Sequence, residues 1–283
     1  MENKKCKKNN LESVAILSDF DGTLRDDSGN IPERNIKAIE HLKSCGGYFA
    51  LASGRAEFVL DTIAPSVKTL VNYPCILSNG SYLYDYSTDT RIRECFVSEE
   101  KLRQMLYDVR DIAPEVAIRM IRGTNYITPD KNEEILKQIE LGYMQNVEFY
   151  TYDTIPTDRI NKINICSSPD NIKKIRNMLE EKYSDEFDLN MSWRSILEIQ
   201  AKNVSKGTML EYVKEELKRT KRNIRIYAVG DYENDLEMMR RADYACCPSN
   251  ALEVVKEYCN IHLCSNNDGA IADLIEKIEK GLA

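Results

Sequence analysis

Short apolar runs that stop abruptly at polar residues mark the two ends of the chain. Val14-Ala15-Ile16-Leu17 ends at Ser18-Asp19-Phe20-Asp21-Gly22, and Tyr48 to Ala52 ends at Ser53-Gly54-Arg55. Cys75-Ile76-Leu77 ends at Ser78-Asn79-Gly80, and Ile224 to Val229 ends at Gly230-Asp231. Runs of this kind suit strands buried on both faces of a parallel sheet. Elsewhere apolar residues recur at helical spacing: Ile36, Ile39 and Leu42; Leu210, Val213 and Leu217; Ile271, Leu274, Ile275 and Ile278. Pro32 suits a first helical position, and Gly46-Gly47 closes that helix. Strands alternating with helices predict an α/β domain built on a Rossmann-like parallel sheet.

The texture changes between about Tyr82 and Ser195. Here apolar and polar residues alternate, as in Ile163-Asn164-Ile165 and Leu189-Asn190-Met191-Ser192-Trp193. Alternation predicts antiparallel strands with one face wet or less buried. Leu102, Met105, Leu106 and Val109 mark one helix between them, and Ile172, Ile175 and Leu179 mark another. The expected organisation is a discontinuous α/β core, residues 1–82 and 196–283, with an α+β cap, residues 83–195, inserted into it.

Composition narrows the class. The 283 residues suit about two domains, and 39 Lys+Arg against 46 Asp+Glu give a net charge of −7. That balance argues against a nucleic-acid binder, which usually carries a basic surplus. Two histidines, His41 and His262, cannot build a histidine-rich zinc site, whereas an oxygen-ligated metal remains open. Nine cysteines without a Cys-x-x-Cys spacing fit reduced thiols; the pair Cys246-Cys247 reads as buried strand. The basic start MENKKCKKNN leads into no apolar stretch long enough for a signal peptide, and no run approaches the ~20 residues of a membrane span. The expectation is a soluble cytoplasmic protein, a monomer or small homo-oligomer, acting on small molecules rather than on nucleic acid or membrane.

Ligands of open α/β sheets bind outside the carboxyl ends of the strands, so Asp19, Asp21, Ser53, Asn79 and Asp231 could share one crevice. If the first strand persists through them, Asp19 and Asp21 point to the same side. Two carboxylates this close repel unless a cation or a shared proton relieves them. An isolated Asp-x-Asp-Gly-Thr reads as readily as a strand followed by a turn. Gly230-Asp231-Tyr232-Glu233-Asn234-Asp235 carries more acid than a helix start needs and suits a hard ion such as Mg²⁺. Lys206, in Ser205-Lys206-Gly207, reads either as a solvated lysine behind a serine cap or as a point charge on a phosphate. Ser53-Gly54 reads as a cap or as donors to a phosphate oxygen. Arg55 has no role beyond a surface ion pair, and Trp193 and the tyrosines read as packing.

Taken together, these segments resemble the haloacid dehalogenase (HAD) superfamily, specifically its Cof-type phosphatases with a large α/β cap. Asp19-Phe20-Asp21-Gly22-Thr23-Leu24 is similar to the first family motif, and Ser53 in Ala52-Ser53-Gly54-Arg55 to the second. Lys206 is similar to the third, Gly230 to Asp235 to the fourth, and Ser78-Asn79-Gly80 to a further Cof-type segment. Two loops depart from the usual pattern: Pro248-Ser249-Asn250-Ala251 lacks a Gly before Asn-Ala, and Asn267-Asp268-Gly269 is followed by Ala-Ile rather than Val-Ala. The resemblance implies that Asp19 attacks phosphorus to form an aspartyl phosphate and that Asp21 serves as general acid and then base. It implies Mg²⁺ held by Asp19, the Asp21 backbone carbonyl and Asp231, with Asp235 as a further ligand or partner. Ser53, Gly54, Asn79, Gly80, Lys206 and Asn234 would bind substrate, and the cap would select it. The implied activity is hydrolysis of small phosphorylated metabolites, with sugar phosphates as the default. A phosphomutase of the same superfamily and a non-catalytic phosphate-ligand sensor are the alternatives.

Overall fold

The computed structural model describes residues 10–142, 144, 146–221 and 223–283, apart from the side chains of Ser192 and Trp193. The basic N-terminal run up to residue 9 and the ring of Trp193 therefore lie outside the described residues. The chain divides into two compact units. One comprises the described residues up to 56 with 60–93 and 205–283, and the other comprises 57–59 and 94–204.

The first unit is organised by a five-stranded sheet in the order Ile261–Leu263, Tyr244–Pro248, Arg225–Val229, Val14–Ser18, Tyr48–Leu51. Every pair in it is parallel. All five residues of Val14–Ser18 are buried, as a continuous apolar run at the centre of a parallel sheet requires. The chain runs from that central strand to Tyr48–Leu51 on one side and later to Arg225–Val229 on the other, so the strand order reverses there. Ligands of doubly wound sheets bind at such a reversal. Cys75–Leu77, expected as another parallel strand, touches the sheet through one parallel bridge, Ala52 to Ile76. It pairs mainly antiparallel with Tyr82–Asp85.

Helix Glu33–Ser44 packs on Ala270–Glu279, and Lys206–Thr220 packs on Leu236–Arg241. Pro32 caps the first of these from outside rather than opening it, and Gly46, at φ +85°, turns the chain away after Ser44. Met238 and Met239 pack in the interior, Cys246 and Cys247 lie in strand Tyr244–Pro248, and His41 is exposed and pairs with Glu279.

The second unit holds a six-stranded sheet in the order Phe187–Trp193, Ile196–Ala201, Ile160–Cys166, Ala117–Arg122, Asn125–Thr128, Val147–Phe149. Its pairs are antiparallel except the last, which is parallel. Helices Leu102–Ile112 and Pro169–Tyr183 contribute Leu106, Val109, Ile175 and Leu179 to its core, against Ile163, Ile165 and Ile199. Asn190 is half-buried, as the alternation predicts, but other polar positions of this sheet are not wet: Lys162, Asn164 and Glu198 are buried. They satisfy one another, since Lys162 Nζ lies 3.2 Å from Glu198 Oε1 and Asn164 Nδ2 donates to the same oxygen at 3.1 Å.

The unit boundaries fall at 93/94 and 204/205 rather than at 82/83 and 195/196. Tyr82–Asp85 and Thr90–Glu94 extend the sheet begun by Cys75–Leu77, which keeps the residues up to Arg93 with the first unit. Ile196–Ala201 pairs with Ile160–Cys166 and Phe187–Trp193, which keeps it in the second. Among the described residues no helix is long and apolar enough to cross a membrane.

Candidate active site

The candidate site residues lie in the first unit, most of them at the carboxyl ends of its strands and Lys206 at a helix start. Strand Val14–Ser18 stops where Asp19 N donates to Val229 O at 2.8 Å. Ala52 N reaches Ser18 O, Ser53 N reaches Ile76 O and Asn79 N reaches Ser53 O, at 2.8, 2.8 and 3.0 Å. This lattice sets Asp19, Ser53, Asn79 and the Val229–Asp231 turn side by side. The strand does not persist to Asp21, so the expected same-side arrangement does not form. The Asp19 carboxylate meets Lys206, whereas that of Asp21 meets arginines. Gly22, at φ +76°, has no Cβ, and one placed there would stand 2.5 Å from Asp231 Oδ2. Glycine here admits both the turn and the close approach of Asp231.

Lys206 is the first residue of helix Lys206–Thr220, behind a reciprocal cap in which Ser205 and Thr208 exchange hydrogen bonds. The solvated reading of this lysine is overturned: its residue is 1 % exposed. Its Nζ stands 2.6 Å from Asp19 Oδ1 and 2.6 Å from Asp235 Oδ1. Gly80 sets the start of this helix. At φ +97°, a Cβ on Gly80 would lie 2.0 Å from Ser205 O and 2.9 Å from Lys206 N. Its missing side chain thus serves the packing of Lys206. Gly80→Ala is expected to cost about 3 kcal/mol or more, from strain and overpacking together. A shift of the urea midpoint measures it.

The acidic turn Glu233–Asp235 folds so that Asp235 Oδ2 accepts from Asp231 N at 3.0 Å and Tyr232 N at 3.2 Å. Thr23 Oγ1 donates to Asp231 Oδ1 at 2.8 Å, and Glu233 is exposed. Asp19, Asp231 and Asp235 each present an oxygen within 4.8 Å of the others. One lysine cannot neutralise three carboxylates. Lys206 is held charged: burial opposes this, but Asp19 and Asp235 outweigh it and raise its pKa. Burial pushes Asp19 well above the usual carboxylate range, with Lys206 pulling it down and Asp235 and Asp231 pushing it further up. Burial, then the charge of Asp235, raises Asp231 to about 6. An all-oxygen, buried and negatively charged donor set fits a hard divalent cation.

The shift of Asp231 has a measurable sign. The folded protein holds this proton more tightly than the unfolded chain, whose carboxyl titrates near 3.8. Its stabilising effect is full below the unfolded value and is lost as pH rises through about 6. In EDTA, Asp231→Asn is expected to melt higher than wild type at pH ~7, with the gap closing as pH falls toward ~5. A gap independent of pH contradicts this account.

Among the residues expected to bind substrate, Ser53 is buried with its Oγ accepting from Arg55 N at 3.2 Å. Asn234 Nδ2 donates to Asn79 Oδ1 at 3.1 Å, and a Cβ on Gly54 would stand 3.1 Å from that same oxygen. Several contributors escaped the sequence reading. Arg55 grips Asp21 through Nε–Oδ2 at 2.5 Å and Nη2–Oδ1 at 2.9 Å, and Arg25 Nη1 adds a contact at 3.1 Å. Thr23 orients Asp231. Asn250 Nδ2 donates to Gly22 O at 2.8 Å and its Oδ1 accepts from Asn266 N at 3.0 Å. Asn267 brackets Asp27 with two 2.9 Å bonds. The two loops that depart from the usual pattern therefore brace the segment after Asp19, at Gly22 and at Asp27, and their Asn residues were the available clue.

The parallel sheet, the reversal of strand order and the buried Asp–Lys–Asp cluster define a Rossmann-like α/β core with an acid-rich site at its strand ends. The chain belongs to the haloacid dehalogenase-like hydrolase family, whose model matches residues 16–275. It is 25% identical over 272 residues to a Buchnera aphidicola phosphatase homologue, covering 93% of this chain and 97% of that one. It is 25% identical over 261 residues to the Bacillus subtilis 5-amino-6-(5-phospho-D-ribitylamino)uracil phosphatase YcsE, covering 92% and 93%. A haloacid dehalogenase-like hydrolase from Bacteroides thetaiotaomicron has the same fold at TM-score 0.80 and 21% identity, covering 94% and 99% of the two chains. The HAD subclass IIB sugar phosphatase BT4131 superposes at TM-score 0.78 and 16% identity, covering 95% and 99%.

Proposed function

We propose that this hydrolase is a Mg²⁺-dependent phosphomonoesterase of small phosphorylated metabolites that works through an aspartyl phosphate on Asp19. The observation that carries the reading is Lys206 Nζ, buried and 2.6 Å from both Asp19 and Asp235. It leaves the Asp19 carboxylate fixed and shielded from bulk water at the strand end, beside negative charge that the lysine alone does not balance. Asp19, Asp231 and Asp235 would hold Mg²⁺, with the Asp21 backbone carbonyl beside them. When bound, the ion supplies the positive charge that offsets carboxylate and phosphoryl repulsion.

In the first step an Asp19 oxygen attacks phosphorus, the ester P–O bond breaks, and Asp21 gives its proton to the departing oxygen. In the second, Asp21 takes a proton from water as that water attacks phosphorus and frees Asp19. Lys206 and Ser53 hold phosphoryl oxygens, with Gly54, Asn79 and Asn234 beside them, since phosphoryl transfer depends mainly on positioning and charge. Residues 94–204 are assigned the choice of substrate. Sugar phosphates come first among candidates: the names of YcsE and BT4131 both denote esters of polyhydroxylated carbon chains. The cytoplasm is the proposed compartment, in keeping with free thiols at every described cysteine.

Phosphate release across a panel of phosphorylated metabolites, with Mg²⁺ and with excess EDTA, tests the reading. Release is expected only with metal. No turnover on any ester supports a sensor, and isomerised hexose phosphate without free phosphate supports a mutase.

A further inference from the structure

Asp21 is the least enclosed member of the proposed machinery, its side chain 45% exposed. A half-exposed carboxylate on a turn has rotamer freedom, and proton transfer requires a fixed donor position. What restrains it is Arg55, whose Nε and Nη2 meet the two Asp21 oxygens at 2.5 and 2.9 Å as parallel bonds. This fork-to-fork geometry sets orientation as well as charge. Arg55 is itself anchored through its backbone: its N donates to Ser53 Oγ at 3.2 Å, and its O accepts from Ser78 N at 3.0 Å. The guanidinium thus starts from the same strand ends that carry Ser53 and Asn79. Arg25 Nη1 adds a third bond, at 3.1 Å, to the same Oδ1 that Arg55 Nη2 holds. Its backbone N is tied to Phe20 O, and Gly29 leaves room for its guanidinium, since a Cβ there would stand 2.5 Å from Nη2.

We propose that Arg55 is a positioning residue for the proton transfer performed by Asp21, acting on leaving-group departure rather than on attack at phosphorus. The inference rests on the phosphomonoesterase reading above. The step it serves is the passage of the Asp21 proton to the ester oxygen as the P–O bond breaks. A carboxylate accepts at about four lone-pair sites, so two bonds from Arg55 and one from Arg25 leave one for the proton that Asp21 carries in turn.

The test compares two esters that differ in their need for that proton. An alkyl ester such as glycerol phosphate departs as an alkoxide and needs it; dinitrophenyl phosphate departs as a stabilised phenolate and does not. kcat/KM reports steps through the first P–O cleavage, so the later role of Asp21 as base does not enter. Arg55→Ala is expected to lower kcat/KM about 10-fold or more on the alkyl ester and under about 3-fold on the dinitrophenyl ester. Asp21→Asn should show the same split more strongly, and Ser53→Ala should lower both esters alike. Arg55→Lys, which keeps charge but loses the fork, is expected to retain most of the split. Arg55→Lys also serves as the folded control if Arg55→Ala melts early. Equal losses on both esters, or no loss on either, overturn the inference while leaving the phosphatase reading intact. A wild-type protein that cleaves neither ester overturns that reading and the inference with it.

Discussion

Asp19→Asn is expected to abolish phosphate release, by at least ~10⁴-fold on any ester, because no other group can take the phosphoryl in its place. The substitution keeps the shape of the side chain and its place at the end of Val14–Ser18. It also removes one of the three carboxylates gathered around Lys206, while Asp235 remains 2.6 Å from the ammonium. The variant should therefore fold and melt within a few degrees of wild type, which separates lost chemistry from lost structure. The wild-type enzyme, quenched in acid during turnover, should yield a phosphorylated chain that hydroxylamine cleaves; Asp19→Asn should yield none. Full activity in the purified variant removes Asp19 from the nucleophile's role, and with it the mechanism.

The parts of this site that were legible in the sequence are those set by short-range rules. An apolar run cut off by Asp19 gives a buried strand and a side chain at its end, because strand burial and strand termination are local. Gly22, Gly80 and Gly230 mark close backbone approaches, although what each approaches is known only from the fold. Lys206 shows the limit: the residues around it spell a capped helix start, which is correct, but a capped start says nothing of burial. The partner of a long side chain is decided by elements far away in sequence, and Asp19 is 187 positions from Lys206. Arg55 escaped for the same reason, its partner Asp21 being on a different strand-end turn. The polar positions of Ile160–Cys166 misled differently. Period-two alternation does place Lys162 and Asn164 on one face, but a face of mutually bonded polar groups can be buried without water.

Lys206→Met is expected to have the largest combined effect on folding and turnover. Methionine matches the length of the lysine stem, so the loss is of the ammonium alone. Asp19 and Asp235 then lose their common donor inside a region where both are less than a tenth exposed. Removing one partner of a buried ion pair costs about 3–5 kcal/mol, because the charge left behind has neither water nor a counter-ion. In EDTA at neutral pH the denaturation midpoint should fall accordingly, and millimolar Mg²⁺ should restore part of it by binding only the folded chain. Lowering the pH should also restore part, since Asp231 already titrates near 6 with the lysine in place and gains a proton more readily without it. Turnover should fall by ~10²–10³-fold even with saturating metal, as expected for loss of a fixed positive donor to the phosphoryl group. The double variant Lys206→Met with Asp235→Asn separates the two effects. With one carboxylate neutralised, much of the stability should return while turnover stays low. If activity returns together with stability, Lys206 serves only to hold the carboxylates, and the phosphoryl contact proposed for it is wrong.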